Sequence, residues 1–109
     1  MGSGFRSLMV YQKGFSLAME IYEFIKSFPS EEKYGLSSQI RNSSRSVCSN
    51  IGEGYRKRSY PAHFISKISD ANMENTETQA WLDLLWNATT FQKQYIMIII
   101  TSQVRLENY

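Results

Sequence analysis

A chain of 109 residues is long enough for one domain with a modest core. At 42% hydrophobic with only two prolines it does not read as disordered, and a net charge of +2 is too small to imply nucleic-acid binding by itself, so any such role needs a local patch. One cysteine, Cys48, rules out an intrachain disulfide and fits a reducing cytosol.

Residues 1–10 lack the long apolar core of a signal peptide, and the most apolar run, Tyr95–Ile100, is too short to span a bilayer. A cytoplasmic protein with no membrane partner is expected. Residues 1–9 are read as a flexible N-terminal segment and residues 10–109 as an all-α domain, an antiparallel up-down four-helix bundle.

The first helix is expected from Val10 or Tyr11 to Phe28, where Pro29 stops it. Phe15, Leu17, Ala18, Ile21, Tyr22, Phe24, Ile25 and Phe28 cover nearly half its circumference, which suits a helix with two neighbours. Pro29 to Gly35, with Glu31, Glu32 and Lys33, reads as a solvated connection.

The second helix is expected from Leu36 to about Arg58. Leu36, Ile40, Ser43, Val47, Ile51 and Gly54 recur every three or four residues and form one narrow seam. Arg41, Arg45 and Arg56 fall on the opposite side in a stripe about 60° wide, at 100° per residue. Ser38, Ser49 and Gly52 lie in or beside that stripe, and Asn50 borders the seam. Gly52 and Gly54 each cost about 1 kcal/mol of helix stability against alanine, so a backbone or a large side chain is expected to approach there.

Ser59-Tyr60-Pro61 is the next start signal, with proline tolerated in the first turn. The third helix is expected to reach about Trp86, with a heptad-like seam of Phe64, Ile68, Ala71, Asn75, Thr78, Leu82 and Leu85. If the two helices form an antiparallel hairpin turning near Ser59, facing residues have numbers adding to about 118. That pairs Gly54 with Phe64, Val47 with Ala71, Ser43 with Asn75, Ile40 with Thr78, and Leu36 with Leu82. It predicts a polar layer at mid-height that either bonds across the hairpin and fixes register or lines a ligand site.

From Phe91 or Gln92 to about Leu106 a fourth helix is expected. YIMIII at 95–100 has the residues of a strand but no second strand to pair with. Such a helix is apolar all round, which implies a subunit interface.

Chemistry is sparse. The single histidine, His63, and Cys48 have no metal-ligand spacing around them. Gly52-Glu53-Gly54 lacks the preceding strand and the lysine of a phosphate loop. Asp70, Glu74 and Glu77 lie on one helical face and read as solvated acids. No enzyme, cofactor or metal is expected. The basic residues are the candidate site: Arg41, Arg45 and Arg56 along the second helix, and Lys57 and Arg58 at its end. The terminal cluster also complements the helix dipole, which by itself explains cations there. Phosphate binding is the functional reading, with Ser38, Ser49 and Tyr55 as neighbouring donors.

Several motifs together resemble the 23S rRNA intervening-sequence proteins, a family of small bacterial four-helix bundles. They are Phe28-Pro29 with Glu32, Tyr34-Gly35-Leu36, Gln39-Ile40-Arg41, Ser46-Val47, Asn50-Ile51, Glu53-Gly54 and Arg56, then Glu77-Thr78-Gln79 with Leu82. The resemblance covers about residues 5–86. The group also holds the accessory variability determinant of diversity-generating retroelements. The family usually has tryptophan where Tyr11 stands and alanine where Gly52 stands, and the C-terminal stretch matches poorly.

The resemblance implies an antiparallel four-helix bundle assembled as a ring, a homopentamer, with a non-enzymatic role tied to nucleic acid. Relatives are encoded within inserts of large-subunit rRNA genes, and the retroelement relative binds a reverse transcriptase and nucleic acid. The family's basic positions carry over to Arg41, Arg45 and Arg56, and more weakly to Lys57 and Arg58. The expected function is therefore RNA binding by backbone contacts. The alternative is a protein-interaction scaffold docking a partner such as a reverse transcriptase.

Overall fold

The apolar spacing of the sequence produces three helices in the computed structural model, which describes residues 4–26 and 35–88, with side chains to residue 85. They are α1 (Met9–Ile25), α2 (Leu36–Arg56) and α3 (Pro61–Ala88). The described residues contain no strand. Phe28, most of the Pro29–Gly35 connection and the expected helix Phe91–Leu106 lie outside the described residues.

Ahead of α1, Gly4–Ser7 form one 3-10 turn. Gly4 sits at φ +64°, a conformation that favours glycine. The Ser7 hydroxyl donates to the Gly4 carbonyl at 2.7 Å and the Gln12 amide to the Arg6 carbonyl at 3.0 Å, which ties the turn to α1.

α2 is the central helix. It packs on α1 on one side and on α3 on the other. The core takes Leu17, Ile21, Phe24 and Ile25 from α1, Ile40, Val47 and Ile51 from α2, and Ala71, Leu82 and Leu85 from α3. These are largely the residues the 3.6-residue spacing selects. Between α1 and α3 lies an apolar groove of about 660 Å³, with Val47 and Ile51 of α2 among its lining and Val10, Phe64 and Ile68 at its sides.

The helical hairpin forms from α2 and α3, in a different register from the one expected. Thr78 Oγ1 lies 2.8 Å from Ser43 Oγ, so Ser43 meets Thr78 there, where the sequence pairing gave it Asn75. A Cβ on Gly54 would stand 3.0 Å from Ile68 Cδ1 and 3.4 Å from Lys67 Cβ, so Gly54 makes room for Ile68 and not for Phe64. The Lys67 ammonium pairs with the Glu53 carboxylate at 2.6 Å. These partners have numbers adding to between 120 and 122, close to one helical turn beyond 118.

The reason lies in the connection. α2 ends at Arg56, not Arg58, and the chain keeps winding: Lys57 N–H donates to the Gly54 carbonyl at 2.9 Å, Arg58 N–H to Tyr55 at 3.2 Å and Tyr60 N–H to Lys57 at 2.8 Å. α3 therefore starts beyond the end of α2 and its first turn overhangs. Phe64 and Ile65 at that end are exposed, as is Ile68 in part. A seam that repeats every three and four residues is nearly unchanged by a slip of one turn, so apolar periodicity could not separate the two registers.

The polar layer is real and bonds across the hairpin. Thr78 (0% exposed) donates to Ser43 (3% exposed), and Ser43 donates onward to the Ile40 carbonyl at 3.2 Å. Asn50 is satisfied within its own helix by the Ser46 carbonyl at 2.9 Å. Each buried hydroxyl of the pair thus has a partner, as burial requires.

Candidate nucleic-acid interface

Arg45 and Arg56 of the arginine stripe border the edge of α2 that meets α1. The two helices are antiparallel: Gly14 of α1 stands against Val47 and Cys48, and Tyr22 stands beside Arg45, so the partner number falls as the α1 number rises. Gly14 is buried, and a Cβ there would lie 3.4 Å from Cys48 Sγ, which records how near the helices come.

Along this edge lies a groove of about 860 Å³. One wall carries Tyr11, Phe15, Met19 and Tyr22 of α1, and the other carries Arg45, Ser49, Gly52 and Arg56 of α2. Phe5 reaches back from the 3-10 turn and lays its ring over Gly52, 3.5 Å from where a Cβ would stand. The large side chain expected over Gly52 is therefore a phenylalanine from the N-terminal turn. That ring meets Tyr11 edge-on, with centroids 5.0 Å apart at 83°, and Tyr11 is followed by Phe15 at 6.3 Å.

Cations stand over these rings. The Arg45 guanidinium is 5.8 Å from the Tyr22 centroid, Lys26 is 4.5 Å from the same ring, and Arg6 is 4.5 Å from Phe5. Arg45 and Arg56 are exposed, while Arg41, one turn before Arg45, is half-buried and outside the groove lining. Lys57 and Arg58 sit at the end of α2, over Tyr60 at 5.9 Å and Tyr55 at 4.0 Å. Arg58 also donates from its guanidinium to the Tyr55 carbonyl at 2.9 Å and so caps its own helix. Among the described residues none of the five cations is ion-paired to a carboxylate. Glu53 borders the groove, but its charge is taken up by Lys67.

Three further titratable groups are Cys48, His63 and Glu74. Burial pushes the Cys48 thiol up to about 11, so it stays protonated near neutrality and behaves as a packed small residue. His63 is exposed and meets Tyr60 edge-on at 6.3 Å. Burial, the charge of Glu77 and a hydrogen bond with it, and the charge of Asp70 raise the Glu74 carboxyl above its ordinary value. Among the described residues no group of three His, Cys, Asp or Glu side chains could hold a metal ion, and no helix is long and apolar enough to cross a membrane.

The sequence singled out the arginines but not the rings facing them. Phe15 and Tyr22 were assigned to the wide apolar face of the first helix. The available signal was the spacing of Tyr11, Phe15 and Tyr22, four and then seven residues apart, which puts three rings on one stripe.

Fold and site together define a small all-helical domain with a cationic, ring-lined edge. The chain belongs to the 23S rRNA-intervening sequence protein family, whose model matches residues 6–106. The family expected from the motifs of the first three helices thus extends through the C-terminal stretch. The chain is also similar to a protein of unknown function from the S23 ribosomal protein family of Bacteroides thetaiotaomicron VPI-5482, with a TM-score of 0.81 and 29% identity over 92% of this chain and 93% of that one. No curated protein matches. The family is described by an rRNA association and not by a reaction.

Proposed function

We propose that this protein is a non-enzymatic helical bundle that binds nucleic acid, RNA foremost, through Arg41, Arg45 and Arg56 with Lys57 and Arg58. One observation carries the reading: five cations follow one edge and one end of α2, and among the described residues none is neutralised by a carboxylate. Unpaired guanidinium groups on a rigid helix suit phosphate contacts, which position a backbone without reading bases. The family's link to rRNA genes supports RNA as the polymer.

Assembly belongs to the same proposal. A cytoplasmic homopentamer repeats the cationic edge around its axis. Repetition multiplies weak contacts into useful affinity.

Binding to a structured RNA across a salt series tests it. Affinity falls steeply with salt, and Arg41→Ala combined with Arg45→Ala flattens the slope by about 1 for each lost phosphate contact. No binding at low salt, or no loss in the double variant, refutes the reading. Solution mass by light scattering tests the oligomer, and a monomer refutes it.

A scaffold role rests on a separate observation. Ile65, Met73 and Leu84 on α3 are 65%, 67% and 52% exposed. A protein partner docked on that face stays bound after nuclease treatment and in high salt.

A further inference from the structure

We propose that the groove between α1 and α2 is a stacking site for unpaired nucleotides, so that the protein prefers single-stranded to duplex nucleic acid. The proposal rests on the nucleic-acid reading above and names the form of the polymer.

The walls of the groove are complementary to such a strand in two different ways. Tyr11, Phe15 and Tyr22 form a row of rings on α1, and Phe5 extends it at one end. Arg45 and Arg56 stand on the facing wall, near Tyr22 and towards the Tyr11 end. Eleven residues separate Tyr11 from Tyr22 and eleven separate Arg45 from Arg56. Both walls therefore run for about 16 Å, which accommodates about five bases at the stacked spacing of 3.4 Å.

Phe15 is the exposed ring of the row, and Phe5, Tyr11 and Tyr22 are half-buried. Phe15 is 40% exposed and Met19 beside it 44%, in a protein whose other phenylalanine on α1, Phe24, is 2% exposed. An apolar side chain left out while its helix neighbour is buried is available to a ligand. Glu53, the carboxylate bordering the groove, is paired with Lys67 and adds little repulsion towards phosphate.

Rings for base faces and guanidinium groups for the backbone are the two components of sequence-tolerant single-strand binding. A duplex hides its base faces and can use only the arginines. The same rings set against a second copy of this chain would bury them without needing the cations, so charge favours the strand as occupant.

The test uses the full chain and two fluorescent probes, an unstructured oligouridylate of about twelve nucleotides and a duplex of the same length, at about 50 mM salt. The expected result is tighter binding to the single strand. Phe15→Leu weakens it by about five- to a hundred-fold and leaves duplex binding unchanged, whereas Tyr22→Leu, which also removes the ring beside Arg45, weakens single-strand binding more than duplex binding. Phe15→Tyr, which keeps the ring, binds as the parent does. Arg45→Ala weakens both probes. Melting curves and light scattering on each variant separate lost binding from lost folding.

If the leucine variants bind oligouridylate like the parent while Arg45→Ala still weakens the duplex, stacking is overturned and backbone binding stands. If neither probe binds the parent chain, both readings fall. If the leucine variants change the solution mass, the groove is an interface between copies and the proposal is overturned.

Discussion

The buried Ser43–Thr78 contact gives the sharpest test of the hairpin register. The two hydroxyl oxygens are 2.8 Å apart, Thr78 is 0% and Ser43 3% exposed, and the pair bridges α2 and α3. Each hydroxyl keeps a local partner when the other is removed: Ser43 has the Ile40 carbonyl at 3.2 Å, and Thr78 the Glu74 carbonyl at 2.9 Å. Neither single change therefore leaves a bare buried donor. Thr78→Val preserves shape and loses one net hydrogen bond, about 1 kcal/mol. Ser43→Ala loses the same bond and leaves a small void, for about 1–1.5 kcal/mol. The double variant removes that bond only once and puts two apolar groups in contact. It is expected to cost about 1 kcal/mol less than the sum of the single changes. For a domain of this size that coupling is about 4–8 °C in Tm. Urea or thermal unfolding followed by circular dichroism reads it, at one fixed protein concentration because assembly adds to apparent stability. In the register summing to 118, Thr78 faces Ile40 and this coupling is absent. Additivity within about 0.3 kcal/mol refutes the observed pairing.

Three further outcomes are expected. Gly14→Ala places a methyl at ordinary contact distance from Cys48, Val47 and Ile51 and improves helix propensity, so it raises stability by about 0.5–1 kcal/mol; a lower melting temperature contradicts the packing described for α1 on α2. Cys48, with its thiol pushed up to about 11, is about one part in a thousand thiolate at pH 8 and reacts with a disulfide reagent about a hundred-fold more slowly in the native protein than in urea; equal rates contradict its burial. Glu74 has its carboxyl raised by burial first, and then by Glu77 and Asp70, so the folded state holds that proton more tightly than the unfolded chain. Its contribution therefore becomes less favourable as pH rises from the ordinary carboxylate value, about 4.3, through the raised one, and stays so above it. Glu74→Gln accordingly stabilises the protein at pH 7, by less than about 1 kcal/mol for so solvated a group, and the advantage disappears below about pH 4; urea unfolding across pH measures it.

A site on one helix edge is economical for so small a domain. Ridges spaced at 3.6 residues serve the core with one face and leave another for recognition. Here α2 does both: Val47 and Ile51 enter the core, while Arg45 and Arg56 border the groove shared with α1. Among the described residues Arg45 and Arg58 have no carboxylate partner, and the rings beside them, Tyr22 and Tyr55, supply a favourable face without cancelling the charge.

The sequence by itself determined the three helices of the described residues, the seam of α2 and the family. Periodicity is a local property, so Ile40, Val47, Ile51, Leu82 and Leu85 could be assigned to a core before any partner was known, and most of the α3 seam followed. It also identified the arginines, because their angular spacing on one helix needs no tertiary information. The register of the hairpin was decided only in three dimensions. A slip of one helical turn keeps seam on seam, and what selects between the two is the winding of Lys57 to Tyr60, where backbone hydrogen bonds carry the chain past the end of α2. The candidate site divided in the same way. Its arginines were legible as a pattern in one segment, but the rings opposite them come from α1 and from Phe5, some forty residues earlier in the chain. Only the packing of α1 on α2 brings ring and guanidinium together, and turns what read as a solvated stripe into one wall of a groove.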